Sequence, residues 1–150
     1  MILAAAQDTG AANALVPVVN ELRRDDLAVV VLLACGKAAQ VFTAAGVEHR
    51  LVVPTGSSVH EYYADVYEDL VETSPDALLL GTAWGPSLDK VLLRASQRLG
   101  IPSVTVIDMW SNYRERFIDP TSGELNLPTK AAVMDQLAFD QAVAAGLPAS

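Results

Sequence analysis

Residues 77–108, ALLLGTAWGPSLDKVLLRASQRLGIPSVTVID, decide the fold. The stretch opens on a short run that is apolar throughout rather than alternating. A connection of small and polar residues follows, from Gly81 to Ser87. Residues 87–99 then place apolar side chains at helical spacing, with Ser87 as N-cap and Gly100 as the stop. A second apolar run, 103–107, ends on Asp108. A strand with no polar face is buried on both sides, and two such strands joined through a helix pair in parallel.

The same unit recurs on both sides of this stretch. Residues 2–7 read as a strand bounded by Asp8, Thr9 and Gly10. Residues 14–22 read as a helix carrying Leu15, Val18, Val19 and Leu22 on one face, with Asn13 as N-cap and Pro17 near the first turn. Residues 27–34 form a second strand, 36–46 a short helix and 50–53 a third strand ended by residues 54–58. Residues 60–72 form an aromatic-bearing helix, 131–134 a sixth strand and 136–145 a last helix. The expectation is an α/β fold: a doubly wound, mainly parallel sheet of five to six strands with helices on both faces, Rossmann-like, in one domain spanning residues 1–150. Residues 110–129 make the single long irregular stretch, a length that inside a compact domain marks a functional segment.

Composition excludes several classes. Eighteen acidic against ten basic residues give a net charge of −8, which disfavours binding nucleic acid through its phosphates. Apolar residues reach 51%, yet no run attains the roughly 18 residues of a membrane span, because Arg23, Arg24, Asp25 and Asp26 interrupt the longest. The start lacks a basic n-region, so it does not read as a signal peptide. A lone cysteine, Cys35, allows neither an intramolecular disulfide nor a cysteine-cluster metal site, and a cytoplasmic location is expected.

Ligands of a doubly wound sheet bind beyond the carboxyl ends of its strands. Residues 8–13, DTGAAN, follow the first strand and lack the three-glycine dinucleotide fingerprint; no P-loop is present. Asp8 reads either as a helix cap or as a ligand contact, and Gly10 as a tight turn. Residues 81–87, GTAWGPS, follow the fourth strand. Trp84 and Gly85 there do not fit core patterning, and Ser87 reads as a cap rather than a nucleophile, since no histidine follows a strand. After the fifth strand comes VIDMWSNYRERF, residues 106–117. In one reading Asp108 takes a proton from an acceptor hydroxyl, Trp110 and Tyr113 stack on a sugar ring or other acceptor, and Asn112 and Arg114 bind hydroxyls or a phosphate. In the other, Trp110 and Phe117 fold the loop back onto the sheet and leave Arg114 and Arg116 in solvent.

Three segments, AAQDTGAANALVPVVNELR, GTAWGPSLDKVLLRASQRLGIPSVTVIDMWSNYRERF and AAVMDQLAFDQAVAAGLPAS, resemble the amino-terminal half of GT-B-type glycosyltransferases. Within that group the likeness is to bacterial members and to relatives of the UDP-N-acetylglucosamine 2-epimerase superfamily. The resemblance implies an acceptor-binding half, inactive alone, whose nucleotide-sugar donor is held by a carboxy-terminal domain of the parent or by a partner subunit. It implies no cofactor in this chain and no metal. By resemblance the loop after the first strand contributes a catalytic base or an acceptor contact, and Asp8 and Asn13 occupy it here. Together with the strand-end positions above, the expected site has Asp8 and Asp108 as catalytic groups, and Gly10, Asn13, Trp84, Gly85, Ser87, Trp110, Ser111, Asn112 and Arg114 as substrate contacts. An open cleft without its partner domain also allows a homo-oligomer. The competing expectation is a non-catalytic Rossmann-like module that binds a small ligand or a protein.

Overall fold

Strand β1 (Ile2–Ala6) is the centre from which the sheet grows in both directions. The chain runs on through helix α1 (Thr9–Arg24), β2 (Val30–Ala34), α2 (Lys37–Ala44), β3 (Arg50–Leu51), α3 (Val59–Thr73) and β4 (Ala77–Leu80). It continues through α4 (Leu88–Leu99), β5 (Ser103–Val106), a 3-10 turn (Glu115–Phe117), β6 (Lys130–Ala132) and α5 (Gln136–Ala144). The computed structural model describes residues 1–24, 27–53, 59–119 and 121–149, and only the backbone of residues 59–64. The six strands lie in the order β3-β2-β1-β4-β5-β6, and every neighbouring pair is parallel.

Both faces of the sheet are apolar because each central strand sends alternate residues to opposite sides. Leu3 and Ala5 of β1 join a core with α3, α4 and α5, while Ala4 and Ala6 join a core with α1 and α2. Helix α1 contributes Ala11, Ala12, Leu15 and Val19 to its core, at the spacing of one helical face. Burying a Leu or Val side chain stabilises by about 1.5–3 kcal/mol, so such residues outweigh a poor backbone position nearby. One exists: Pro17 lies in the interior of α1, not in its first turn, because the helix starts at Thr9 rather than at residue 14. Asn13 is accordingly an exposed residue inside the helix and not its cap.

Other boundaries shift for identifiable reasons. Strand β2 starts at Val30, and Leu27 and Val29 are exposed because β1 offers no partner before Ile2. Strand β3 is reduced to Arg50 and Leu51, both exposed at the edge of the sheet. The expected connection 54–58 lies outside the described residues, as do the side chains of His60, Tyr62 and Tyr63. The long stretch 110–129 is not irregular throughout. Ile118 and Leu125 form an antiparallel bridge, and the backbone N–H groups of Thr121 and Ser122 donate to Asp119 at 2.7 and 2.8 Å. Arg94 of α4 also donates to Asp119, at 2.8 Å. Burial works to raise the Asp119 pKa, but these N–H groups and the Arg94 guanidinium overcome it and hold the carboxyl below its ordinary value.

Candidate functional site at the carboxyl edge of the sheet

Strands β1 and β4 are neighbours, but the helices that follow them leave to opposite faces, so this is the switch point, beyond whose carboxyl ends the ligand crevice of such sheets lies. Gln7 bridges it. Its Oε1 accepts from the backbone N–H of Leu88, the first residue of α4, at 3.0 Å, and its Nε2 donates to the Pro86 carbonyl at 3.5 Å. The first turn of α1 then approaches the end of β5 so closely that a Cβ on Gly10 would lie 1.8 Å from Asp108 Oδ2. A side chain at residue 10 would have to displace the Asp108 carboxylate, so the glycine serves proximity and not a turn. A similar constraint holds at Gly81, where a Cβ would lie 2.4 Å from that of Ala11.

Asp108 is held from its other side by Arg116. Nη1 of Arg116 donates to Asp108 Oδ1 at 3.2 Å and to Thr82 Oγ1 at 2.8 Å, and Nε donates to the Ser111 carbonyl at 3.2 Å. Thr82 in turn donates to the Val106 carbonyl at 3.3 Å. One guanidinium therefore ties together the ends of β4 and β5 and the loop that follows. This goes against the alternative reading of residues 106–117, in which Arg114 and Arg116 are both solvated: Arg116 is buried, with 3% of its surface exposed, whereas Arg114 is exposed. Tyr113, Arg116 and Phe117 share one face at helical i, i+3, i+4 spacing, and that spacing is the signal by which Arg116 was recognisable as inward-facing.

The β4–α4 connection carries a second buried acid. Asp89, in the first turn of α4, accepts from the Ala83 N–H at 3.0 Å. Burial pushes its carboxyl up to about 6, against the opposing pull of its own N–H, the Ser87 hydroxyl and the Ala83 N–H. Ser87 is the N-cap residue of α4 in position but not in bonding. Neither Ser87 Oγ nor Asp89 Oδ1 completes a hydrogen bond of normal geometry among the described residues, although the hydroxyl lies close enough to favour the ionised acid. Lys90 donates to the Glu115 carbonyl at 3.2 Å, and burial lowers its pKa.

The expected binding residues divide into two groups. Trp84, Gly85 and Asn112 line a hollow of about 40 Å³ together with Glu115 and Arg116. The Asn112 amide donates to Ser111 Oγ at 3.2 Å, which places Ser111 beside this hollow. Trp110, Tyr113 and Arg114 instead run along α5. The Trp110 indole donates to Asp135, the N-cap of α5, at 3.1 Å. The Tyr113 hydroxyl donates to Gln141 at 2.9 Å, and Arg114 approaches Gly146 beyond the helix. Tyr113 is buried, so it packs under α5 and is not available to stack on a ring. Asp8 immediately precedes α1, and its carbonyl accepts from the Ala12 N–H at 3.0 Å. Asn13 lies further along α1, exposed.

A groove of about 80 Å³ between β6 and α5 is lined mainly by apolar residues, among them Phe117, Leu127, Val133, Phe139 and Leu147. It lacks the convergent polar groups of the crevice, and the chemistry concentrates at the latter. Among the described residues no group of three or more His, Cys, Asp or Glu side chains is placed to hold a metal ion, and no helix is long and apolar enough to cross a membrane.

No protein-family model matches the sequence, and no curated protein matches it. Solved structures do share its fold. The UDP-GlcNAc 2-epimerase from Neisseria meningitidis, solved with UDP-GlcNAc bound, superposes with a TM-score of 0.72 at 13% identity, over 99% of this chain and 43% of that one. The UDP-N-acetylglucosamine 2-epimerase from Rickettsia bellii gives 0.67 at 20% identity, over 99% and 42%. The UDP-GlcNAc 2-epimerase from Methanocaldococcus jannaschii gives 0.68 at 12%, over 99% and 44%. The chain thus has the fold of one half of these proteins and spans less than half of their length.

Proposed function

We propose that the chain is the acceptor-side, amino-terminal half of a nucleotide-sugar-dependent enzyme of GT-B architecture, a glycosyltransferase, with the donor held by a carboxy-terminal domain or a partner subunit. The observation that carries this reading is the cluster beyond the carboxyl ends of β1, β4 and β5: Asp108 held between Gly10 and Arg116. In this reading Asp108 accepts a proton from the acceptor hydroxyl, and Arg116 and Thr82 fix the direction in which its carboxylate points. Asp8, immediately before α1, is assigned to the same chemistry. The absence of a glycine-rich phosphate fingerprint in residues 8–13 supports a donor site elsewhere than in this chain.

Calorimetric titration of the chain with UDP-, GDP- and CDP-sugars tests the division of labour. No binding at micromolar concentrations is expected, and micromolar binding of any of them overturns the acceptor-side assignment. When the chain is joined to its carboxy-terminal partner, Asp108→Asn is expected to lower turnover by about 10²–10⁴-fold, the contribution of a positioned general base. Unchanged turnover removes Asp108 from the chemistry.

A further inference from the structure

Two neighbouring residues in the first turn of α4 are both buried and opposite in charge: Asp89 is 4% exposed and Lys90 8%. Adjacent helix positions point about 100° apart, and each of these side chains reaches a different loop of the site. Asp89 accepts from the Ala83 N–H at 3.0 Å, in the β4–α4 connection. Lys90 donates to the Glu115 carbonyl at 3.2 Å, in the 3-10 turn. The two loops also meet each other, because Arg116 of the turn donates to Thr82, the residue before Ala83, at 2.8 Å. The contacts therefore close a ring. It runs from Lys90 through Glu115 and Arg116 to Thr82 and Ala83, and returns through Asp89 to Lys90.

The link that matters for Asp108 is the one at Glu115. The Glu115 carbonyl and the Arg116 N–H belong to one planar peptide unit. Lys90 holds the oxygen of this unit, and its N–H donates to the Asn112 carbonyl at 3.3 Å. The oxygen also accepts from the Ile118 N–H at 3.3 Å, a long bond between neutral groups, so the ammonium supplies the stronger anchor. The Arg116 side chain leaves from this plane and donates to Asp108 at 3.2 Å. A movement at Lys90 is thus passed to Asp108 through one peptide plane and one guanidinium. Burial lowers the Lys90 pKa, Asp89 and Asp119 oppose that and Arg116 adds to it, so the ammonium lies within the field of the groups it ties together. An apolar side chain of similar size fills a buried position at less cost, so a charge kept there calls for a use.

We infer that Lys90 is a positioning residue for Asp108: it fixes the peptide unit that carries Arg116 and, through the Arg116 guanidinium, sets where the Asp108 carboxylate lies. Its effect on turnover rests on the reading of Asp108 as the general base; its effect on geometry does not.

The Arg116 Nε–H, which donates to the Ser111 carbonyl, reports the hold on the guanidinium, and its hydrogen exchange is measured by NMR on the chain. Lys90→Met is expected to speed this exchange about tenfold or more and to move the Asp108 carboxyl carbon resonance, while the backbone amides of β1 and β2 keep their rates. Lys90→Arg, which keeps a charged donor for the Glu115 carbonyl, is expected to retain the slow exchange. If circular dichroism shows Lys90→Met unfolded, Asp89→Asn/Lys90→Met decides the matter, because it buries no lone charge and leaves an oxygen for the Ala83 N–H. In the joined protein the Lys90 variant is expected to lower kcat about tenfold with KM unchanged, less than the loss in Asp108→Asn. Unchanged Arg116 exchange, exchange that rises equally throughout β1 and β2, or equal rates in Lys90→Met and Lys90→Arg overturns the inference. So does a joined protein in which Asp108→Asn lowers turnover and the Lys90 variant does not. Faster Arg116 exchange in a protein whose turnover ignores Asp108→Asn keeps Lys90 as the residue that places the carboxylate and removes the general-base reading, so the two failures are distinguishable.

Discussion

Asp108 and Gly10 come so close that the first turn of α1 has no room for a side chain where the Asp108 carboxylate lies against it. Gly10→Ala is therefore expected to push Asp108 off Arg116 and to destabilise the fold by about 1–3 kcal/mol, the usual cost of overpacking. In an Asp108→Ala background the obstruction is gone and the sign reverses, because alanine is a better helix former than glycine by up to about 1 kcal/mol. Urea unfolding of the four proteins of this cycle measures both. Equal effects of Gly10→Ala in the two backgrounds would show that the approach is not close.

Two aromatic residues of this segment, Trp110 before the 3-10 turn and Phe117 within it, are expected to behave differently. Trp110 is half exposed and linked to the fold by one hydrogen bond to Asp135, so Trp110→Ala is expected to cost about 1 kcal/mol or less. Phe117 is buried in the core with α4 and α5, and Phe117→Ala is expected to cost about 3–5 kcal/mol. Thermal unfolding of both variants gives the comparison, and a larger loss for Trp110→Ala contradicts the placement of its ring.

Stability is expected to depend on pH through two acids with opposite signs. Asp89 binds its proton more tightly in the folded state, with its pKa pushed up to about 6 from 3.8. Below about pH 4 it is protonated in both states and has no effect. As pH rises from about 4 to 6 the unfolded chain ionises first, and stability falls by up to about 1.4 kcal/mol per pH unit from this group. Asp119 is shifted the other way, so its contribution is present above its unfolded value and is lost as pH falls through its lowered folded value. Asp89→Asn keeps an oxygen for the Ala83 N–H and is expected to flatten the slope between pH 4 and 6 in denaturant titrations. An unchanged slope assigns it to another group.

Pro17 removes one N–H from the interior of α1 and crowds the carbonyl of Asn13. It is exposed, so Pro17→Ala loses no core packing and is expected to raise stability by up to about 3 kcal/mol, read as a higher urea midpoint. A fall in the midpoint shows that the proline favours the fold chiefly by restricting the unfolded chain.

The parallel sheet was legible because strands such as Ala77–Leu80 are apolar on both faces, and that pattern has few other causes. The start of α1 was not. Asp8, Thr9, Gly10 and Asn13 are turn-forming residues by type, yet Gly10 lies in the first turn of α1, packed against Asp108, which is distant in sequence. The crevice was legible as an address, since topology alone puts Asp8, Trp84 and Asp108 beyond strand ends. Which side chains face inward there was harder to read. The spacing of Tyr113, Arg116 and Phe117 marks an inward face, but nothing local announces Thr82, the distant partner that with Ser111 and Asp108 satisfies the Arg116 guanidinium. Ser87 shows the reverse: capping chemistry predicts its position, but its hydroxyl makes no capping bond.

The strand order also fixes a sequence of events in time. β1 pairs with β2 on one side and with β4 on the other, Ile2 facing Val30 and Ala77, and the Met1 amine pairs with Asp76. Strand β1 thus waits for its second neighbour until the 70 residues between Ala6 and Ala77 have been made. During that wait Leu3 and Ala5, which later face α3 and α4, have nothing to cover them. Contacts so distant along the chain close slowly, and an open edge on an apolar strand invites pairing with other nascent chains. Yield in a cell is therefore governed by how long β1 goes unpaired, so slower elongation across residues 50–76, or a shortage of chaperones, falls on soluble recovery before it touches the stability of the finished molecule.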